Sequence, residues 1–155
     1  MWYYNNQPFE PDEDLLKEYQ GFVYLITELD TNMKYIGKKF FWSNRKLPPL
    51  KGKTRKRVKL VESDWKSYYG SNEQLKLLVE NKSADNYKRE ILILCKTKGD
   101  CSYYEAKLQF ENDVLLKEDY YNQFIGCKIH SKHLSSPSIV TLLHNKNNRL
   151  WSYII

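Results

Sequence analysis

Two short stretches of the sequence decide its fold: residues 22–24, Phe-Val-Tyr, and residues 35–37, Tyr-Ile-Gly, with ten residues between them. Aromatic and β-branched residues grouped in this way are typical of β-strands. The intervening Asp-Thr-Asn at 30–32 accepts tight or left-handed turn geometry. We therefore predict an antiparallel β-hairpin whose strands cover 22–27 and 34–37.

The two tyrosines of these stretches are the first candidate functional residues. Alternation along the first strand places Phe22, Tyr24 and Ile26 on one face of the hairpin. Whether Tyr35 shares that face depends on the register of the pairing, which the sequence leaves open. With both on one face, two tyrosine hydroxyls on neighbouring strands would point in the same direction.

The composition indicates a single globular domain. The chain has 155 residues, of which 41% are hydrophobic and 15% aromatic, and this is enough to bury a core. No apolar run approaches the roughly 20 residues that cross a bilayer, and the first residues lack the pattern of a secretory signal. Three cysteines without the close spacing of a zinc site indicate reduced thiols. We expect a cytoplasmic protein with no membrane partner.

The net charge of +6 is concentrated in one segment. Residues 38–59 contain ten Lys or Arg and no acid, which leaves 15 basic against 19 acidic residues elsewhere. Such a patch focuses a positive field on a polyanion, although a solvated loop is the alternative interpretation. The candidate nucleic-acid-binding residues are Lys38, Trp42, Lys46, Lys51, Lys53, Arg55, Lys56, Arg57 and Lys59.

We divide the chain into an acidic leader (1–20), a central domain (21–127) and an extension (128–155). The domain carries a basic insertion at 38–64, where a Pro-Pro pair and a glycine predict an irregular loop or short helical pieces. The leader is expected to pack on the edge of the domain. No chemistry is assigned to it.

The later part of the chain predicts a third strand and a helix. Apolar residues indicate a buried strand at 87–94, and Ser102 is a candidate cap for a helix over 103–116. In the extension, the apolar runs at 139–143 and 150–155 predict either further strands or a small extension of the domain.

The order of these features resembles that of the GIY-YIG nuclease family, with Phe-Val-Tyr standing where the family has Gly-Ile-Tyr. In the family a glutamate on a late helix holds the divalent metal, and Glu105 occupies the matching place. Tyr121-Asn122 resembles an aromatic–asparagine pair of the family, and Tyr69 resembles its His or Tyr before the third strand. The resemblance covers about 21–125 and is nearest to compact phage versions, including the homing-endonuclease type.

The arginine of the family has several candidates here. It normally follows the second motif by about eight residues, and Arg45 lies eight residues beyond Gly37. A Pro-Pro pair interrupts the chain just after Arg45, where the family usually has a regular helix. Lys39, Arg55 and Arg57 therefore compete with Arg45 for this role.

The resemblance implies an α+β fold with a three-stranded mixed or antiparallel sheet flanked by helices. It implies a DNA endonuclease that uses Mg²⁺ or Mn²⁺ on Glu105, in a bacterial or phage-infected cell. Tyr24 would be the general base or orient the water, with its pKa lowered by a neighbouring Lys39 or Arg45, and Asn122 would fix the surroundings of Glu105. The implied catalytic residues are Tyr24, Tyr35, Lys39, Arg45, Tyr69, Glu105 and Asn122.

Other functions fit the same sequence. A structure-specific or restriction-type nuclease, a non-catalytic nucleic-acid-binding module, and a protein that binds an acidic partner through 38–59 are the alternatives. No separate DNA-binding domain is visible in the sequence. The chain would therefore recognise DNA through its own insertion, act as a homodimer, or be loosely specific.

Overall fold

A computed structural model of the chain describes residues 1–135. The elements, in chain order, are β1 (Trp2–Tyr4), β2 (Gln7–Pro8), α1 (Glu13–Glu18), β3 (Gly21–Glu28), β4 (Lys34–Phe40), β5 (Trp42–Leu47), β6 (Arg57–Glu62), α2 (Glu73–Asn81), β7 (Tyr87–Cys95) and α3 (Lys98–Glu111). No helix in this range has the length and apolarity to cross a membrane. The strands or small extension predicted at 139–143 and 150–155 lie outside the described residues.

The predicted α+β class is confirmed, but the main sheet has five strands where three were predicted, in the order β2-β1-β7-β3-β4. The additional strands come from the leader, since β1 pairs in parallel with β7 and β2 pairs antiparallel with β1. Trp2 holds them, because its buried ring packs edge-on against Phe22 and Tyr24 and its indole donates to the carbonyl of Trp65. Strands of two or three residues show no alternation, so the sequence pattern did not reveal them.

The predicted hairpin is confirmed as β3 and β4, and the structure supplies its register. Tyr24 pairs with Gly37, and Ile26 pairs with Tyr35. Directly paired residues point to the same face of a sheet, so Tyr35 shares the face of Tyr24. The turn contains Asn32 in the left-handed region, at a φ of 59°, which asparagine tolerates better than most residues.

Two apolar cores form because β3 is buried on both faces. One core is largely aromatic and includes Trp2, Phe9, Phe22, Tyr24, Phe41, Trp65 and Tyr121. The other lies on the opposite face of the sheet and includes Val23, Leu25, Ile36, Ile93, Cys101 and Leu108. Helix α3 covers this second face, and it thereby comes to lie beside strand β4.

The prediction of an irregular basic insertion is wrong. Strands β5 and β6 form an antiparallel two-stranded ladder that is separate from the main sheet. The Pro-Pro pair at 48–49 and Gly52, at a φ of 78°, lie only in the turn between the strands. Charged side chains at exposed positions masked the strand signal, because both faces of this ladder are largely exposed.

The start predicted for the last helix is also wrong, since α3 begins at Lys98 rather than Tyr103. Thr97 accepts a hydrogen bond from the amide of Asp100, and the Asp100 carboxylate accepts one from the amide of Thr97. This reciprocal capping box offsets the roughly 1 kcal/mol that Gly99 costs inside a helix. Residues 98–100 thus form the first turn of the helix.

A buried carboxylate ties the hairpin to the far end of the domain. Glu28 is 1% exposed and accepts hydrogen bonds from Lys82, Thr31 and Tyr121. Burial would raise the pKa of Glu28, but these donors overcome that effect and lower the pKa to about 2. Tyr121 is thereby fixed next to the candidate site residue Asn122.

We expect Glu28→Gln to destabilise the fold by about 3 kcal/mol at neutral pH, because Lys82 and Tyr121 lose an ionised partner. The Glu28 pKa is depressed from its ordinary 4.5 to about 2, so the ionised form favours folding. Its contribution is complete above pH 4.5 and is lost as the pH falls toward 2. Urea unfolding of wild type and variant at pH 7, 5, 4 and 3 measures this.

The difference in unfolding free energy between the two proteins isolates Glu28, since the other acidic groups are common to both. It should be constant from pH 7 to 5 and shrink at lower pH. A difference that is as large at pH 3 as at pH 7 would contradict the role assigned to the carboxylate.

Candidate active site

A cleft of about 600 Å³ lies where β4, the start of α2, α3 and the chain after Asn122 meet. The lining is mostly polar. It consists of Tyr35, Lys38, Ser71, Asn72, Glu73, Gln74, Glu105, Gln109, Asn122, Gln123, Phe124 and Gly126. Four residues predicted from the sequence, Tyr35, Lys38, Glu105 and Asn122, are thus brought to one cleft.

The cleft is assembled on the backbone N–H and carbonyl of Ile36, in edge strand β4. The Ile36 amide donates to Asn122 Oδ1 at 3.0 Å, and Asn122 Nδ2 donates back to the Ile36 carbonyl at 2.8 Å. Gln109 Nε2, from α3, donates to the same carbonyl at 2.9 Å. Because both Asn122 and Gln109 are buried, these bonds fix the relative positions of β4, α3 and the following segment.

Glu105 and Lys38 form an ion pair across the cleft, through Glu105 Oε2 and Lys38 Nζ. Their side chains are 14% and 26% exposed, so the charges are partly shielded yet accessible from the cleft. Glu105 lies in the middle of α3, and Lys38 follows directly after the Tyr-Ile-Gly stretch in β4. The cleft therefore contains one carboxylate and one ammonium group in direct contact.

An aromatic cluster adjoins the cleft. The ring of Tyr24 lies 6.2 Å from that of Tyr35 and 6.1 Å from that of Tyr68, between centroids. The Tyr35 hydroxyl is 2.9 Å from Ser71 Oγ, and Lys39 Nζ lies 3.6 Å from the centroid of the Tyr68 ring. Three phenols and a lysine thus follow one another from the cleft to the base of the basic insertion.

The phenols of this cluster are protonated at neutral pH. Burial raises the pKa of Tyr24 well above its usual value, and the neighbouring Tyr68 and Tyr35 raise it further. Burial also raises the pKa of Tyr35 and that of Tyr68. The prediction that Lys39 or Arg45 lowers the pKa of Tyr24 is therefore wrong, since burial dominates and Tyr24 is 1% exposed.

Tyr69 and Arg45 are not part of this cluster. The ring of Tyr69 lies 4.1 Å from the guanidinium of Arg89 and packs against Tyr87, and its neighbour Tyr68 contacts Tyr24 instead. Arg45 is exposed in the middle of β5, paired with a residue of β6. The catalytic roles of Tyr69 and Arg45 stay predictions from the family resemblance, and both side chains lie outside the aromatic cluster.

Tyr68, Ser71 and Gln109 make contacts with predicted site residues or with Ile36 and were not themselves predicted. Tyr68 and Ser71 contact Tyr24 and Tyr35 respectively, and Gln109 holds Ile36. Gln109 had a detectable signal, since a residue four positions after Glu105 lies on the same side of a helix. Tyr68 and Ser71 had none, because their contacts depend on how the chain folds back before α2.

The side chains of the cleft fit a hydrated divalent cation. No group of three or more His, Cys, Asp or Glu in residues 1–135 could hold a metal ion. Mg²⁺, however, keeps most of its waters and is often bound through one or two carboxylates together with substrate phosphates. Glu105 supplies one carboxylate facing the cleft, and Gln109 offers an amide oxygen one turn further along α3.

An α+β domain with a cation, a carboxylate and phenols around one polar cleft is suited to a phosphodiester. The family model described as "Putative endonuclease segE, GIY-YIG domain" matches residues 2–125. The chain therefore belongs to this GIY-YIG endonuclease family, as the sequence resemblance predicted, and its domain is that of a DNA endonuclease. Comparison with curated proteins and with solved structures gives no match.

Gly37 is required by the aromatic cluster. A Cβ at this position would lie 2.5 Å from the Tyr24 hydroxyl and 2.7 Å from Tyr24 Cζ, and Tyr24 is buried. We expect Gly37→Ala to lower the unfolding free energy by about 1–3 kcal/mol, as overpacked cores do, and to reduce DNA cleavage. Urea unfolding and plasmid cleavage measure the two effects.

The double variant Gly37→Ala/Tyr24→Phe is the control for this prediction, because it removes the hydroxyl at the shortest contact. It should recover part of the stability while remaining impaired in cleavage. Wild-type stability of the single variant would contradict the close contact.

Proposed function

We propose that the chain is a metal-dependent DNA endonuclease of the phage homing-endonuclease type, which hydrolyses the phosphodiester with water and forms no covalent enzyme intermediate. The observation that carries the proposal is the convergence of Glu105, Lys38 and Tyr35 on one cleft. Phosphodiester hydrolysis needs an oriented water, compensation of phosphate charge and support for the leaving oxygen. The lining of this cleft offers a group for each requirement.

Lys38 would compensate the negative charge of the phosphate. The phenols would orient the water and the phosphate. Lys38 lines the cleft beside Glu105. Because the pKa of Tyr35 is raised, its hydroxyl remains a hydrogen-bond donor at neutral pH, with Ser71 as its partner. Tyr24 is buried beneath this layer, and its protonated hydroxyl is better suited to orienting than to removing a proton.

Glu105 is the residue that would hold the divalent cation. A bound Mg²⁺ or Mn²⁺ would act as a Lewis acid on the phosphate and support the charge of the leaving oxygen. Asn122 has both amide atoms engaged with Ile36, so it positions β4 rather than contacting the substrate.

The basic insertion would hold the DNA. None of its cations from Arg45 to Lys59 forms an ion pair among residues 1–135, whereas Lys39, at its base, pairs with Asp64 and lies over Tyr68. Uncompensated cations on an exposed element are the usual electrostatic footprint of nucleic-acid binding. This charge arrangement supports DNA as the partner.

Replacement of Glu105 by glutamine should reduce cleavage of supercoiled plasmid at least 100-fold in Mg²⁺ or Mn²⁺ and leave DNA binding nearly unchanged, because the carboxylate charge is lost but the shape is kept. Glu111→Gln is the matched control. It removes the same charge near the end of the same helix, where Glu111 pairs with Lys107 and with no other cation among residues 1–135. Nicking and linearisation on agarose gels and a gel-shift titration give the two readouts.

Each outcome of this experiment has a definite meaning. Normal cleavage by Glu105→Gln would remove Glu105 from the site. DNA binding by the wild type with no cleavage of plasmid, branched or single-stranded DNA in any divalent metal would favour the binding module. Cleavage of branched DNA alone would assign the structure-specific type.

The turn of the insertion should contribute to binding by neutralising DNA phosphates. Replacing Lys53, Arg55 and Lys56 by glutamine should flatten the slope of log K against log salt by about 0.9 for each phosphate that the variant no longer neutralises. The same removal of charge at Lys17, Lys88 and Lys107, on the body of the domain, serves as the control and should leave the slope unchanged. Equal slopes in both variants would mean that the turn is only a solvated loop.

A further inference from the structure

Strands β5 and β6 form a ribbon that stands apart from the main sheet. The ladder has six residue pairs, from Trp42 opposite Glu62 to Leu47 opposite Arg57. At about 3.4 Å per residue, its length is about 20 Å. Most of its residues are exposed, and the ribbon pairs with no other strand of the described chain. It is therefore an isolated β-ribbon rather than part of the core.

The base of the ribbon is firmly attached to the domain. Phe41, at the start, is fully buried, and the Trp42 indole donates to the Leu16 carbonyl at 2.8 Å. On the returning side, the Ser63 amide donates to the carbonyl of Phe41 and its hydroxyl donates to that of Phe40. These contacts hold the direction in which the ribbon leaves the domain.

The two faces of the ribbon differ in chemistry. Paired residues share a face and successive residues alternate, so Arg45, Lys59 and Arg57 lie on one side, which we call the basic face. The opposite face carries Lys46 together with Val58, which is 62% exposed. Two of the cations on the basic face are arginines, which offer planar, bidentate hydrogen-bond donors.

The basic face is electrostatically unsatisfied. Arg45 lies directly opposite Lys59 in the ladder, and like charges in that position destabilise a strand pair. None of the three cations has an acidic partner among the described residues. A bound polyanion would relieve this repulsion, which indicates that the face is arranged for an anionic surface.

We propose that the basic face of the β5–β6 ribbon lies in the major groove of duplex DNA, with Arg45 and Arg57 directed at base edges and Lys59 at the backbone. The inference rests on the proposed nuclease function and adds a mode of recognition to it. The major groove of B-DNA is about 12 Å wide and admits a two-stranded ribbon, whereas the minor groove, about 6 Å wide, would first have to be widened.

The position of the ribbon relates recognition to cleavage. The residues that flank it, Lys39 and Asp64, form an ion pair at 2.6 Å, and Lys39 also lies over the ring of Tyr68 in the aromatic cluster. DNA held by the ribbon would therefore lie near the aromatic cluster that adjoins the candidate active site. Recognised bases and the cleaved bond would lie at a constant separation.

The first test compares two neighbouring residues of β5 that lie on opposite faces. Arg45→Gln and Lys46→Gln each remove one positive charge. We expect Arg45→Gln to weaken binding of duplex DNA about 10-fold or more, and Lys46→Gln to weaken it no more than about threefold. Binding is measured by fluorescence anisotropy in EDTA on a 30-base-pair duplex, with thermal unfolding to show that both variants are folded.

The second test distinguishes the grooves without knowledge of the target sequence. Duplexes with a bulky C5 substituent on every cytosine obstruct the major groove, and netropsin occupies the minor groove of A·T-rich duplexes. Wild-type binding should weaken about 10-fold or more on the C5-substituted duplex and change less than twofold with netropsin. Arg45→Gln should be less sensitive to the C5 substituents than the wild type.

Equal weakening by the two glutamine variants, or displacement by netropsin alone, would overturn the groove proposal. If the wild type still cleaves plasmid in those cases, the nuclease function stands and only the recognition mode is wrong. Absence of both cleavage and DNA binding would overturn both proposals. Binding of acidic polypeptides at least as tight as that of duplex DNA would overturn the groove proposal and assign the basic face to a protein partner.

Discussion

The backbone of Ile36 is the constraint that holds the candidate site together. Ile36 belongs to the edge strand β4, whose outer side would otherwise expose unpaired backbone groups. Asn122 bonds both the N–H and the carbonyl of Ile36, and Gln109 adds a second donor to that carbonyl. Three segments far apart in sequence are thereby held at one point. The cleft that contains Glu105 and Lys38 exists because these segments cannot separate without leaving buried polar groups unpaired.

The buried groups around this point show how the domain holds its site residues in place. Glu28 fixes Tyr121 through a short hydrogen bond, and Tyr121 precedes Asn122. On the same face of the hairpin, Gly37 leaves room for the hydroxyl of Tyr24, which in turn packs against Tyr35. Each of these contacts is made inside the core, where burial keeps phenols neutral and requires the carboxylate to have donors.

The ribbon contributes less to the stability of the fold than the core does. Its strands bury little surface, and in the described part of the chain the ribbon is firmly attached at its base, around Phe41 and Trp42. A ribbon of this kind gains little from the hydrophobic effect, and the pairing of Arg45 with Lys59 costs further stability. Such an element is explained by what it binds rather than by what it contributes to folding.

The hairpin, the helix with Glu105, the pair Tyr121-Asn122 and the basic segment were all predictable from the sequence. Strand alternation, turn residues and charge runs are local signals, and each can be read without knowledge of the fold. The tertiary structure set the register that places Tyr35 beside Tyr24, and it brought Tyr68 rather than Tyr69 against Tyr24. It also set the pairing of the short leader strands and of the two strands of the insertion. Contacts between residues distant in the chain set side-chain direction and strand pairing, and no local pattern encodes them.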